Sequence, residues 1–207
     1  MPIKKYFADK DNTITNAFKF DLATRASKAN MGSSDILEVF SIYGQASTSS
    51  TEQSRILINF PVSEILSDRN DNKIPASGSA SFVLRMFNAR HSQVTPEKYT
   101  ITVSPVVRSW QEGSGLDMES YVDSGPSNWI SCSSGQEWHT YGGDYTNTDI
   151  IKSTPQSVPT EYTQYFELGT EDVEIDITKM VEEWLTYESG TRVGSTGSIA
   201  FTRIPVA

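Results

Sequence analysis

Apolar and polar side chains alternate at a period of two in several separate stretches of this chain. That spacing confines it to strands that each bury one face. The cleanest case is Val173, Ile175 and Ile177, with Glu174 and Asp176 between them. Ile56, Ile58 and Phe60 share one face of Ser54–Phe60, opposite Arg55 and Asn59. Phe82, Leu84 and Met86 do the same in Ala80–Asn88, where Val83 and Phe87 make the reverse face partly apolar. Ile36–Tyr43, Tyr99–Trp110, Thr163–Leu168 and Ser198–Ile204 read as further strands. Pro105 bends or bulges the second of these, because proline cannot donate to a ladder. One short helix is expected after Thr178, whose hydroxyl suits a cap and behind which Met180, Val181, Trp184 and Leu185 fall on one side. Two turns do not stand alone, so Trp184 is expected to plug one end of a sandwich.

The segments between these strands are polar and turn-rich, notably Gly44–Gln53 and Ser67–Gly78. Gln111–Ser157 is the longest region without alternation, and a loop of that length in a compact domain is functional or contact-making. The 207 residues fit one all-β domain, 1–207, with a long irregular insertion at about 111–157. Apolar content of 37% is low, but aromatics at 11% let a few large rings supply much of the buried area.

The formal charge is −9, with no cluster of lysine and arginine, so a nucleic-acid partner is not expected. Cys132 is the single cysteine, which excludes an internal disulfide. The first residues hold Lys4 and Lys5 but no apolar h-region, so no secretory signal is expected. No run approaches the ~18 apolar residues of a membrane span, and no Asn-x-Ser/Thr acceptor occurs. These features favour a chain made in a cytoplasm and left there, or assembled there into something larger, with no membrane partner.

Two acidic clusters, Asp9-Lys10-Asp11-Asn12 and Asp68-Arg69-Asn70-Asp71-Asn72, carry the oxygens a hard cation wants. The second departs from an EF-hand loop, with Lys73 where the glycine turn belongs and Ser79 in place of the closing glutamate. Asx-type turns account for both, and no metal or other cofactor is expected. Trp110, Trp129, Trp138, Tyr141 and Tyr145 could form a sugar-stacking platform, or the tryptophans could fill the core; the core reading is preferred. Glu112, Asp117 and Glu119 are acidic neighbours, but a glycosidase needs two carboxylates at a set separation. His91 and His139 cannot make a three-histidine zinc site, and no nucleophile, phosphate-loop or dinucleotide motif is present. No catalytic residue is assigned, and the chain is not expected to be an enzyme.

The order of motifs in the second half resembles one family. Trp110-Gln111-Glu112, Ser127-Asn128-Trp129-Ile130, Trp138, Gly142-Gly143-Asp144 and Asp176-Ile177-Thr178 with Trp184 are similar to the DNRLRE domains related to family-96 carbohydrate-binding modules. Ala8-Asp9, Asn30-Met31-Gly32, Ser54–Phe60 and Ala80–Leu84 stand where such a sandwich has them. A closer resemblance, in Ala8–Ala17, Asn30–Phe40 and Gly115–Glu119, is to tailed-bacteriophage virion proteins built on this sandwich. The resemblance implies a jelly-roll-type β-sandwich, structural tryptophans, and a decoration, neck or tail-associated virion subunit whose partners are other virion proteins. The alternative is a carbohydrate-binding module for a host surface glycan; a glycan-degrading enzyme ranks last. Such sandwiches carry another strand after the one corresponding to Gly197–Ile204. Either this domain is a shortened version or one sheet edge is left open; the expectation is that Ser198–Ala207, or the strand beside it, contacts a neighbouring subunit, with Gln111–Ser157 as a second contact.

Overall fold

The computed structural model describes residues 3–91, 94–116, 120–145, 161–188 and 197–204. Among the described residues, ten strands and two helices run in the order β1 (Lys10–Thr15), β2 (Ser41–Tyr43), β3 (Thr51–Asn59), α1 (Val62–Asn70), β4 (Val83–Met86), β5 (Tyr99–Val106), β6 (Ser131–Ser133), β7 (Gln136–Glu137), β8 (Tyr162–Phe166), β9 (Val173–Asp176), α2 (Thr178–Glu188) and β10 (Ser198–Ile204). The main sheet is antiparallel in the order β1-β3-β10-β5-β8, with β2 also on β3; β4-β9 and β6-β7 form two separate ribbons. The chain is all-β in class, as the alternation implies.

β10 lies in the middle of the main sheet. Ser198–Phe201 pairs with Asn59–Ile56 of β3, while Ser198–Ile204 pairs with Val106–Thr100 of β5. This overturns the expectation of an open edge at Ser198–Ile204; residues 205–207 lie outside the described residues. A strand buried on both faces needs apolar side chains at consecutive positions. Ile199, Ala200 and Phe201 supply them, all at most 1% exposed.

The two faces of the sheet carry different cores. On one face, Ile56, Ile58, Ile101, Val103, Ile199 and Phe201 pack with Leu84 of β4, Val173 and Ile175 of β9, and both helices. Met180, Val181, Trp184 and Leu185 of α2 all point into this core, as their spacing predicts. The cap differs from expectation. The Thr178 hydroxyl accepts the Phe82 N–H at 2.8 Å, while the Asp176 carboxylate takes the Thr178 N–H at 2.9 Å. Hydrogen bonds from the Thr178 hydroxyl and then its N–H hold the Asp176 carboxyl below its ordinary value, against partial burial.

The second helix, α1, is a correction to the single helix expected. Pro61 precedes it, and Val62, Ile65 and Leu66 at helical spacing turn into the first core. Its last turn carries Asp68, which removes the cation reading. That carboxylate is bound by Lys4 and Lys73 and accepts the Tyr6 hydroxyl at 2.9 Å. Asp11 and Asn12 likewise belong to β1 rather than to a turn.

Candidate functional site

The opposite face of the sheet is covered by the chain between β5 and Tyr145. Ile14, Leu57, Val106 and Ala200 project from the sheet and meet Trp110, Trp129, Cys132, Trp138 and Tyr145. The later part of the long irregular region, through Trp129, Cys132, Trp138 and Tyr145, is thus the wall of a second core. All four tryptophans of the chain are buried, none more than 9% exposed. Indole nitrogens need partners when desolvated. Trp110 Nε1–H donates to Ser198 Oγ at 3.1 Å, and Trp138 Nε1–H to the Asn128 carbonyl at 2.8 Å. Of the aromatic group read as a possible sugar platform, Tyr141 alone is exposed.

Arg55 enters this core from β3. Its guanidinium lies over Trp129 at 4.7 Å and over Tyr145 at 4.9 Å, and donates to the Gly142 carbonyl at 2.6 Å. Gly142 has φ +90°, and a Cβ there would press into the Arg55 fork and the Trp129 ring, so only glycine fits the turn. Burial pulls the guanidinium below its ordinary pKa, against Tyr145 acting the other way. Asp144, fully buried, holds the same turn by accepting the N–H groups of His139 at 3.1 Å and Thr140 at 2.9 Å. Arg108 Nε reaches it at 3.4 Å. The Gly142-Gly143-Asp144 element is therefore a turn lock.

His139 offers little chemistry. Its Nδ1 lies 3.2 Å from Asp144 and its Nε2 lies 3.1 Å from Arg108 Nη2. Arginine can only donate, so Nε2 accepts and Nδ1 carries the proton toward Asp144. Both ring nitrogens are occupied within the fold. Cys132 is fully buried in β6, with Sγ 3.4 Å from the Gln136 carbonyl. Glu112 is also committed: its Oε1 accepts the Asp11 N–H at 2.9 Å. Burial, and then Glu112, push the Asp11 carboxyl up. Asp117 and Glu119 lie outside the described residues.

A buried amide network ties Asn12 and Asn30 to Met31, Glu112, Gly115 and Ser127. Asn12 donates to the Ser127 carbonyl at 2.9 Å and accepts the Met31 N–H at 2.9 Å. Asn30 donates to the carbonyls of Glu112 and Ser127, both at 2.7 Å, and accepts the N–H of Gly115 at 2.8 Å. Gly115 approaches so closely that a Cβ would overlap the Asn30 backbone. Both asparagines are at most 1% exposed, and a desolvated amide keeps its fold only when its bonds are made. No spacing rule flagged this network, because its members are far apart in sequence.

What remains for a partner is the perimeter. A sheet edge is a row of free backbone donors and acceptors unless something covers it. Glu112 covers part of the β1 edge at Asp11. Gln164 covers the β9 edge, its amide donating to Asp172 O at 2.9 Å and its oxygen accepting Glu174 N–H at 2.8 Å. β4 differs. It pairs with β9 alone, through Val83–Met86 against Asp176–Val173, and none of the described residues bonds its other side. Val83 and Phe87 beside that edge are 47% and 76% exposed. Sequence reading noted both as an apolar reverse face without seeing what it flanked.

No family model, curated protein or solved structure matches the chain. Among the described residues, no group of three or more His, Cys, Asp and Glu is arranged to hold a metal ion. None of the described helices is long and apolar enough to cross a membrane.

Proposed function

We propose that this chain is a structural protein of a tailed-bacteriophage particle, a decoration, neck or tail-associated subunit that works through protein–protein contacts rather than catalysis. The observation that carries this reading is the burial of all four tryptophans in two cores of the fold. A glycan-binding platform needs exposed ring faces, whereas here Trp110, Trp129 and Trp138 pack the long loop onto the sheet and Trp184 packs α2 onto the other face. The resemblance of Ala8–Ala17, Asn30–Phe40 and Gly115–Glu119 to tailed-bacteriophage virion proteins built on a jelly-roll-type sandwich supports it further, since described residues of all three stretches meet at Asn12 and Asn30. The charge of −9 suits a protein partner on the outside of a particle, away from packaged DNA.

The test is composition of purified particles. Peptides of this chain should be recovered by mass spectrometry from gradient-purified virions at a stoichiometry that repeats between preparations. The isolated protein should give no signal on an array of host surface glycans. Absence from the particles, or saturable glycan binding, sides with the carbohydrate-binding alternative.

A further inference from the structure

We propose that the open side of β4 docks against β4 of a second copy of this chain, antiparallel, about a two-fold axis at Met86. The proposal rests on the assembly reading above and names one of its contacts. The β4–β9 ladder fixes which backbone groups are available. Ile177 N–H donates to Phe82 O at 2.9 Å, so the even positions of β4 bond inward to β9. The N–H and C=O groups of Val83, Arg85 and Phe87 therefore point outward. Their side chains stand on the solvent face as well, while Leu84 is buried and Phe82 and Met86 pack on the first core.

An isologous contact must be self-complementary. Pairing outward groups with outward groups allows axes at Leu84, Arg85 or Met86. An axis at Arg85 sets two guanidinium groups directly opposite, which destabilises a ladder. An axis at Leu84 leaves the exposed Phe87 ring opposite Ser81. An axis at Met86 sets each Arg85 opposite Phe87 of the second copy, and Val83 opposite its Ala89. Guanidinium over ring is a contact this chain makes on itself, with Arg25 over Phe18 at 4.2 Å and Arg203 over Tyr99 at 4.6 Å. Glu174, 3.2 Å from Arg85, stays on the other side of the same fork. The charge of each Arg85 is thus met on both flanks.

The paired segment, Val83 to Ala89, spans about 24 Å of chain, and such a contact buries less than the ~1,000 Å² of a stable pair. The isolated dimer is consequently weak and concentration-dependent. Repeated copies in a particle strengthen it through high effective concentration.

Sedimentation velocity of the full chain across a concentration series tests the idea. The parent should show a reversible monomer–dimer equilibrium. Phe87→Lys and Arg85→Pro should each raise the dissociation constant about tenfold or more while melting like the parent. The Arg85 N–H points away from β9, so proline there removes only an edge donor. For register, a mixture of Arg85→Cys and Phe87→Cys chains should cross-link under mild oxidation, and neither alone should. A chain that stays monomeric, a dimer indifferent to both edge variants, or cross-linking of Arg85→Cys alone overturns the proposal. So does hydrogen-exchange protection of Val83–Phe87 that appears only when another virion protein is added. A monomer that is present in particles sinks this contact and keeps the assembly reading. A dimer absent from particles does the reverse.

Discussion

Arg69 of α1 and Glu182 of α2 meet fork to carboxylate, with Nη1–Oε2 and Nη2–Oε1 both at 2.7 Å. Their side chains are only 14% and 18% exposed, so the pair joins the two helices in a half-dry setting over the first core. Burial pushes the Glu182 carboxyl up, and hydrogen bonds from Arg69 and Ser77 outweigh it, leaving the group below its ordinary value. A lysine cannot reproduce the two parallel bonds. Arg69→Lys is expected to cost about 1–2 kcal/mol and Arg69→Ala about 1–3 kcal/mol. In a chain of this size, each kcal/mol lowers the melting temperature by roughly 2–4 °C. A double-mutant cycle with Glu182→Gln measures the coupling; no coupling would mean the fork is ornamental.

Acid should attack the fold through Asp68. Its carboxyl is lowered to about 2, first by the Lys4 hydrogen bond, against burial, with Tyr6 and Lys73 adding to it. A depressed folded-state pKa stabilises the native state above the unfolded value and loses that contribution as pH falls through the folded one. The window therefore runs from the ordinary 3.8 down to about 2. Urea unfolding across this window should show a shallower pH slope for Asp68→Asn than for the parent. Parallel slopes would remove Asp68 from the account.

Trp184 is 3% exposed in the first core. Trp184→Ala should cost about 3–5 kcal/mol, and so lower the melting temperature by roughly 6–20 °C. Calorimetry decides between a structural and a ligand-facing indole. A variant that melts like the parent yet loses glycan-array binding would reverse the reading.

Asn30→Asp changes one atom of the buried network and removes both donor bonds, to Glu112 O and Ser127 O. An ionised carboxylate there faces two carbonyl oxygens without solvent. The variant should be destabilised by more than about 3 kcal/mol at neutral pH, and part of the loss should return as pH falls and the group protonates. Equal stability of Asn30→Asp at pH 5 and pH 8 would contradict this.

Much of the local structure was legible because it depends on neighbours in sequence. The bounds of β10 follow from its alternation, and the buried face of α2 from the spacing of Met180, Val181, Trp184 and Leu185. α1 was legible in principle from Pro61, Val62, Ile65 and Leu66, but its polar last turn reads like a loop until Asp68 meets Lys4 and Tyr6, more than 60 positions away. β1 was hidden in the same way, since Asp9–Asn12 has the composition of a turn and its last three residues become strand only by pairing with β3.

The placement of those pieces belongs to tertiary structure. Any alternating segment can take a central or an edge position, because its own backbone offers hydrogen bonds on both sides. β10 is central because β3 and β5 both reach it, and among the described residues β4 is left at an edge because β9 alone pairs with it. The tryptophans show the same division. Their identity guaranteed a large apolar surface, but whether that surface met a sugar or the sheet depended on Arg55, Ala200 and Ser198, residues brought beside them only by long-range pairing. Period and capping act over a few residues and are written locally; register, edge and cover are relations between distant segments, and only the folded chain decides them.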